Sequence, residues 1–387
     1  MPILPEIAAQ ADALTAIRRD LHAHPELGFE ETRTAAIVAE RLRAWGVDEV
    51  HEGIGGTGVV GLIRGAAEGN RRIGLRADMD ALPIAEESGV PYASRTPGVM
   101  HACGHDGHTA IVLGAAQYLA ATRRFSGTAV VIFQPAEEGL GGARRMLEEG
   151  LFTRFPCDEV YGLHNTPGMA PGSVSVTPGP AMAGATFFDI TVTGQGSHAA
   201  MPHQGRDPVV VAASLVGELQ TIVSRNLAPG NPAVLSVTQI HAGTAYNVVP
   251  DRATLAGTIR YFEDSDRDMI HARVEALCAG LAQAHGVAIE ADLRAIFTVL
   301  DNDPELSGEY VAAAAEIVGQ EAALLGGGRR TGSEDFADML RVVPGAYCRL
   351  GHAGTVPLHN PAYVFDDACL PVGASVMARM VERRLPL

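Results

Sequence analysis

Thr128-Ala-Val-Val-Ile-Phe133, continued by Gln134-Pro-Ala-Glu-Glu-Gly139, is the stretch on which the fold turns. An unbroken apolar, β-branched run fits a strand buried on both faces, inside a sheet covered by helices. Two adjacent carboxylates, Glu137 and Glu138, follow it at once. Ligands of open α/β sheets bind at the carboxyl ends of strands, so the stretch points both to a layer architecture and to a place for chemistry. Neighbouring side chains point in different directions. One of the two acids could bind a metal while the other serves as a general base. The same pair would equally suit a helix N-terminus, where the dipole favours negative charge.

Outward from this stretch, strands alternate with helices. Residues 6 to 45 read as helical, with a break at His24-Pro25-Glu26, because Pro disfavours helix for the residue before it. Gly58–Arg64 and Arg72–Ala77 are β-rich, and residues 108–121 carry apolar residues at helical spacing. A helix near 142–149 and a strand at 159–163 follow. This alternation predicts an α/β sandwich. After about residue 182 the order becomes β-α-β-β-α-β: strands at 186–192, 234–240, 253–259 and 287–291, with helices at 207–225 and 265–285. That is the order of a ferredoxin-like module. A helix at 309–318, the Gly-rich 326–330 loop, Ser333 as a helix cap, a strand at 346–350 and a helix from Asp366 complete the chain. The reading is an α/β domain interrupted by a smaller inserted one.

With 387 residues the chain is too long for one ordinary core, and two domains are expected. The formal charge of -16 argues against nucleic acid or an anionic membrane as partner. The N-terminus has no basic, apolar leader pattern, and no apolar run is long enough to span a bilayer. The five cysteines are scattered and odd in number, which suggests reduced thiols and a cytoplasmic location.

Four more motifs carry donors. Met100-His-Ala-Cys-Gly-His-Asp-Gly-His-Thr109 packs Cys103, His101, His105 and His108 into one turn before a helix. Thiolate and imidazole hold zinc-like ions. Tyr161-Gly-Leu-His-Asn-Thr166 puts His164 at a strand end, and Pro357-Leu-His-Asn-Pro361 puts His359 in a rigid loop. Arg76-Ala-Asp-Met-Asp80 ends a strand with Asp78 and Asp80, as ligands, as carboxylates that orient a ligand, or as a simple turn. Together, Cys103, His105, Glu138, His164 and His359 would suit one or two borderline divalent ions, with Glu137 left over as base.

These motifs, in this order, resemble a family of metal-dependent amidohydrolases and metallopeptidases: hippurate hydrolases, N-acyl-L-amino acid amidohydrolases (aminoacylases) and auxin–amino acid conjugate hydrolases. The resemblance extends over the whole chain and includes Leu21–Glu30, Gly194–Ala200, Asn247–Pro250, Gly257–Arg260, Gly332–Phe336 and Leu358–Asn360. It implies a mixed-sheet α/β/α catalytic domain of zinc-exopeptidase type in residues 1–182 and 296–387. Residues 183–295 correspond to an inserted ferredoxin-like satellite, or dimerisation, domain. It also implies Cys103, His105, Glu138, His164 and His359 as ligands of a site for one or two ions (Mn, Zn, Co or Ni), and Glu137 as catalytic base. His198 corresponds to an imidazole that contacts the substrate, often in the neighbouring subunit, and Asn247 and Arg260 resemble substrate-carboxylate binders. His101, His108, His22 and His24 have no metal role on this mapping, and Asp80 supports a ligand. Wider relatives carry His-x-Asp where this chain has Asp78-Met79-Asp80, and a bridging Asp near the position of His105; without that bridging carboxylate, occupancy of a second metal position stays open.

The implied activity is hydrolysis of the amide bond of N-acyl-L-amino acids by water, with Glu137 as proton carrier, in a homodimer or homotetramer. Two alternatives stay open. One is a dipeptidase or aminopeptidase on the same scaffold. The other is a metal-free hydrolase with Cys103 as nucleophile.

Overall fold

The computed structural model describes residues 3–387. The chain divides into two compact units. The first comprises residues up to Gly179 together with Asp301–Gly328 and Asp335–Leu387; the second comprises Pro180–Leu300 and Arg329–Glu334. The chain therefore passes from the first unit to the second at 179/180 and back at 300/301, beside the expected 182/183 and 295/296.

The first unit is built on an eight-stranded mixed sheet. Its strands lie in the order Glu49–Ile54, Gly58–Arg64, Ser126–Gln134, Ala67–Asp78, Glu159–Pro167, Gly345–His352, Val174–Val176 and Ala323–Leu325. Ala129 to Phe133 are all fully buried, as the apolar run requires of a strand inside the sheet. The four neighbours Ser126–Gln134, Ala67–Asp78, Glu159–Pro167 and Gly345–His352 run parallel. The Glu49–Ile54 strand escaped the sequence reading. It is an edge strand with exposed Glu52 and Gly53, so it lacks the alternation that marks a half-buried strand.

The expected helical stretch at 6–45 is three helices, Pro5–Ala8, Ala11–Ala23 and Thr32–Ala44. Ala11–Ala23 and Thr32–Ala44 each pack on His105–Thr122, as does the C-terminal helix Cys369–Arg384, which begins three residues after the expected Asp366. His105–Thr122 is buried nearly all round, consistent with the apolar run Ala110–Ala116 that follows its polar first turn. Gly142–Glu148 and Phe336–Leu340 pack on each other and against the Ser126–Gln134 and Glu159–Pro167 strands, respectively. Ser333 does not cap the Phe336–Leu340 helix. The cap position falls on Asp335, and no side chain bonds the first turn.

The second unit is a four-stranded antiparallel sheet in the order Val234–Ala242, Arg252–Tyr261, Gly184–Thr193, Ala288–Phe297. Helices Pro208–Arg225 and Asp264–His285 pack on each other, and Val211, Leu215, Leu219 and Ile222 are buried in its core. Asp207 caps the first of these helices, its carboxylate accepting from Val209 N at 2.8 Å. The sequential order β-α-β-β-α-β with this strand arrangement is ferredoxin-like. Arg329–Glu334 joins this unit through Arg330, whose amide donates to Ala181 O at 2.9 Å and whose carbonyl accepts from Ala183 N at 3.0 Å. No described helix is long and apolar enough to cross a membrane.

Candidate active site

The parallel register brings strand ends together. Asp78 pairs with Gln134, Arg76 with Gly162, and His164 with Arg349. Asp80, Glu137 and Glu138, just past their strands, and His164, still within Glu159–Pro167, therefore lie at the carboxyl-end side of the sheet. The Met100–Thr109 turn reaches the same side through Gly104, which sits at φ 92 before the helix that starts at His105. A Cβ on residue 104 would lie 2.4 Å from Asn165 Nδ2, so both the backbone and the space demand glycine. His359 arrives on a loop whose amide donates to Ala102 O at 2.8 Å, and its own backbone is left-handed, φ 63.

The structure brings the five sequence-derived donors into one cluster. Cys103 Sγ lies 3.3 Å from His164 Nε2, and His359 Nε2 lies 3.2 Å from Glu138 Oε1. His105 Nε2 is 4.0 Å from both Glu137 Oε2 and Glu138 Oε1. The donor atoms of Cys103, His105 and His164 fall within 4.8 Å of one another, as do those of Cys103, Glu138 and His359, and those of His105, Glu137 and Glu138. His105 Nε2 and Glu138 Oε1 are buried, and neither has a well-aligned hydrogen bond among the described residues: the approach to Glu138 Oε1 is that of His359 Nε2, and His105 Nε2 faces Cys103 and the two carboxylates. Buried polar atoms left this way are costly, and a cation among them would remove the cost.

Ring orientations support that reading. His105 Nδ1 faces two acceptors, Asp80 O at 3.0 Å and Asp80 Oδ1 at 3.1 Å. His164 Nδ1 faces Asn165 O at 2.6 Å. Each ring thus carries a proton on Nδ1 and points Nε2 inward. His108 is different: Nδ1 meets Asp78 Oδ1 at 2.7 Å, and Nε2 accepts from Asn165 N at 3.0 Å. Both of its nitrogens are used, and so is Asp78, which also takes Arg76 Nη1 at 2.7 Å. His22 lies between Asp106 and Glu86, at 2.9 and 3.2 Å, and His24 Nδ1 bonds Asp20 O at 2.9 Å. His101 is fully buried, outside every cluster of converging donor atoms.

The surroundings draw positive charge. Burial opposes a charge on His105, yet Asp78 and Cys103 hold its pKa well above the ordinary value. Hydrogen bonds to Cys103 and Glu138 push His359 up to about 10. Burial and the nearby Glu138 raise the Cys103 thiol, while burial and His108 hold His164 low.

Glu31 and Asp335, which the sequence reading missed, hold the turn that carries Glu137 together with Asp80. Ala136 is left-handed, φ 55, and its amide donates to Glu31 Oε1 at 2.8 Å. Glu138 N donates to Asp80 Oδ2 at 2.9 Å, and Ala143 N to Asp335 Oδ2 at 2.9 Å. Asp335 N in turn points at Glu137 Oε1, 3.4 Å away. Asp335 also accepts from Gln134 Nε2 at 2.6 Å and Arg76 Nη2 at 3.2 Å, which is why it is not spent on a helix cap. Asn165 is a second hub: it donates to Cys103 O at 2.6 Å and accepts from Tyr363 Oη at 2.6 Å. Its position directly after His164 was the available signal.

His198, Asn247 and Arg260 belong to the second unit. His198 is exposed on a two-stranded ribbon, opposite Val248. Its Nδ1 accepts from Ala200 N at 3.1 Å, which leaves the proton on Nε2. Asn247 precedes Val248 on the same ribbon, and its carbonyl accepts from Ala199 N at 3.0 Å. Arg260 stacks over Phe187 at 5.7 Å, and its Nη1 donates to Ile259 O at 3.1 Å. Among the described residues no carboxylate pairs with it.

A layered mixed sheet with thiol, imidazole and paired carboxylates at its strand ends defines a class of hydrolase. The sequence profile described as Peptidase family M20/M25/M40 matches residues 74–383, and the chain belongs to this family. It is a hydrolase of amide bonds. It is 40% identical over 385 residues to a hippurate hydrolase of Campylobacter jejuni, covering 100% of both chains. It is 37% identical over 377 residues to an N-acetylcysteine deacetylase of Bacillus subtilis, covering 95% of each. Among solved structures, it superposes on a dinuclear metal-binding peptidase of the M20 family from Bacillus subtilis with a TM-score of 0.84. Identity there is 33%, covering 98% of this chain and 99% of that one.

Proposed function

We propose that this chain hydrolyses the amide bond of N-acyl-L-amino acids at a divalent-metal site formed by Cys103, His105, Glu138, His164 and His359. The observation that carries the reading is the convergence of these donors, their ligand atoms within 4.8 Å of one another in overlapping groups, around the buried His105 Nε2 and Glu138 Oε1. Sulfur, nitrogen and oxygen donors in this mixture fit one or two borderline divalent ions. Such an ion supplies Lewis acidity, polarising a carbonyl and acidifying water.

Glu137 stands beside this set with Oε2 facing His105 and Oε1 held toward the Asp335 amide. It takes the proton of the attacking water and hands it to the leaving amine nitrogen. The family resemblance gives His198, whose Nε2 carries the proton, the role of donor to the carbonyl oxygen as its charge grows. Arg260, half-buried and without a carboxylate partner, suits the free carboxylate of an amino acid, gripped in a charge-assisted fork. Asn247 adds a further polar contact to that carboxylate. The alkyl or aryl part of the acyl group then defines specificity, and the hippurate-hydrolase and deacetylase relatives support acyl groups of this kind.

Glu137→Gln tests the reading. Its metal content should match the wild type, and kcat on N-benzoylglycine should fall roughly 10²- to 10⁴-fold. Undiminished turnover would overturn the role of Glu137. The short Cys103–His164 distance favours one second reading, a metal-free thiol nucleophile. Burial of Cys103 raises its thiol pKa, which leaves it a weak nucleophile. Activity that survives complete chelation would decide for the thiol.

A further inference from the structure

Glu31 is a fully buried carboxylate that the chemistry above does not use. It stands at the N-terminal cap position of the Thr32–Ala44 helix, yet it caps nothing. The first turn of that helix is served by Glu26 instead, whose Oε1 accepts from Arg33 N at 2.9 Å and Oε2 from Thr34 N at 2.8 Å. The Glu31 carboxylate turns the other way. Its Oε1 accepts from Ala136 N at 2.8 Å and its Oε2 from Thr57 Oγ1 at 2.5 Å.

Ala136 is the residue before Glu137, and its φ of 55 is one that a residue with a Cβ adopts reluctantly. Such a conformation persists only where the surroundings over-determine it. The packing is close on the other side too, since a Cβ on Gly28 would lie 3.0 Å from Ala136 Cα. One residue further on, the Glu138 amide is tied to Asp80 at 2.9 Å. The backbone around Glu137 thus hangs from two carboxylates, one on each side.

We propose that Glu31 is a positioning residue for Glu137: by holding the Ala136 amide it fixes the left-handed turn that aims the base. The proposal rests on the reading of Glu137 as base. Without Glu31 the Ala136 amide is buried and unbonded, the residue relaxes toward negative φ, and the Glu137 carboxylate swings away from His105. The function of Glu31 is geometric and needs an acceptor for Ala136 and a partner for Thr57, not a charge.

The test compares three variants on N-benzoylglycine in the metal-loaded enzyme. Glu31→Leu should lower kcat roughly 10- to 100-fold, with KM shifted by less than about twofold. Glu31→Gln should stay within about threefold of wild type, because its amide oxygen still accepts from Ala136 and its NH2 meets Thr57 Oγ1. Ala136→Gly added to E31L should recover about threefold or more of the lost kcat, since Gly takes positive φ freely. A general loss of packing would not respond to that second change. Should E31L not fold, Thr57→Val removes one anchor of the carboxylate from outside the turn, and kcat should fall at constant KM. Wild-type kcat in E31L or T57V, no recovery in E31L/A136G, or E31Q as impaired as E31L would each overturn the proposal. Full turnover in E137Q would instead remove the base itself, whereas an inactive E137Q beside an unimpaired E31L sinks only the positioning role.

Discussion

Asp80 and His105 are joined twice: the Nδ1 of His105 lies 3.0 Å from the Asp80 carbonyl oxygen and 3.1 Å from its Oδ1. The other carboxylate oxygen of Asp80 holds the Glu138 amide at 2.9 Å. One side chain therefore fixes the tautomer of one proposed ligand and the backbone of another. Asp80→Asn keeps an acceptor for only one of the two, because its NH2 would face a donor. Metal affinity should fall roughly 10- to 100-fold, measured by competition with a metal buffer. Unchanged affinity would separate Asp80 from the site.

Gly104→Ala should cost about 1–3 kcal/mol of stability. The residue sits at φ 92, and the new Cβ would meet Asn165 Nδ2 at 2.4 Å and Tyr363 Oη at 2.9 Å. Asn165 cannot retreat without releasing the Cys103 carbonyl, so the variant should also lose metal. Urea denaturation and metal analysis read the two effects. A wild-type denaturation midpoint would show that the turn has room the geometry denies.

The His22–Asp106 pair gives stability a pH profile. Burial opposes charge on His22, but Asp106 and Glu86 raise its pKa from 6.5 to about 9. Its contribution is whole below pH 6.5 and is lost as pH rises through about 9. Asp106 acts in the opposite sense. Burial opposes its charge, yet His22 holds it well below the ordinary 3.8, so its contribution is present above 3.8 and disappears on acidification through the folded value. The denaturation midpoint should decline between pH 6.5 and about 9 in the wild type, and His22→Gln should flatten that limb. An equal slope in both proteins would move the alkaline sensitivity elsewhere.

Arg260→Ala should raise KM for N-benzoylglycine roughly 10- to 100-fold with little change in kcat, the loss of a charged hydrogen bond made equally in ground and transition states. The carboxamide N-benzoylglycinamide, which offers no anion, should be affected far less. Equal losses on both substrates would deny Arg260 its carboxylate.

How far these features are legible in the chain depends on how local their causes are. Glu137 and Glu138 announce themselves because they follow a strand whose apolar pattern is readable, His164 because it lies on one, in Glu159–Pro167, and parallel register does the rest. His359 carried a weaker signal. It sits in an irregular, Pro-bounded loop, where only its company with the other donors, and then the resemblance, pointed to the site. Glu31, Asn165 and Asp335 were passed over because their partners are remote in sequence: Glu31 meets Ala136, Asn165 meets Cys103, and Asp335 meets Gln134. An acid before a helix reads as a terminal charge, and Ser333-Glu-Asp335 reads as a cap. Only the fold shows that Glu26 does the capping at one helix and that Asp335 is already engaged at the other.

The place where the second unit enters the chain has a kinetic consequence. Val174–Val176 and Ala323–Leu325 are hydrogen-bonded neighbours, yet Pro180–Leu300, the greater part of the second unit, is synthesised between them. The same holds for Glu159–Pro167 and Gly345–His352. Closing so long a loop is slow, and pairing of high contact order comes late. Cys103, His105, Glu137, Glu138 and His164 can assemble on the early strands while His359 is still unmade. On the ribosome the donor set would wait for its last imidazole until the inserted unit has emerged and had time to fold, so a metal ion captured during synthesis would first meet an incomplete, weaker site.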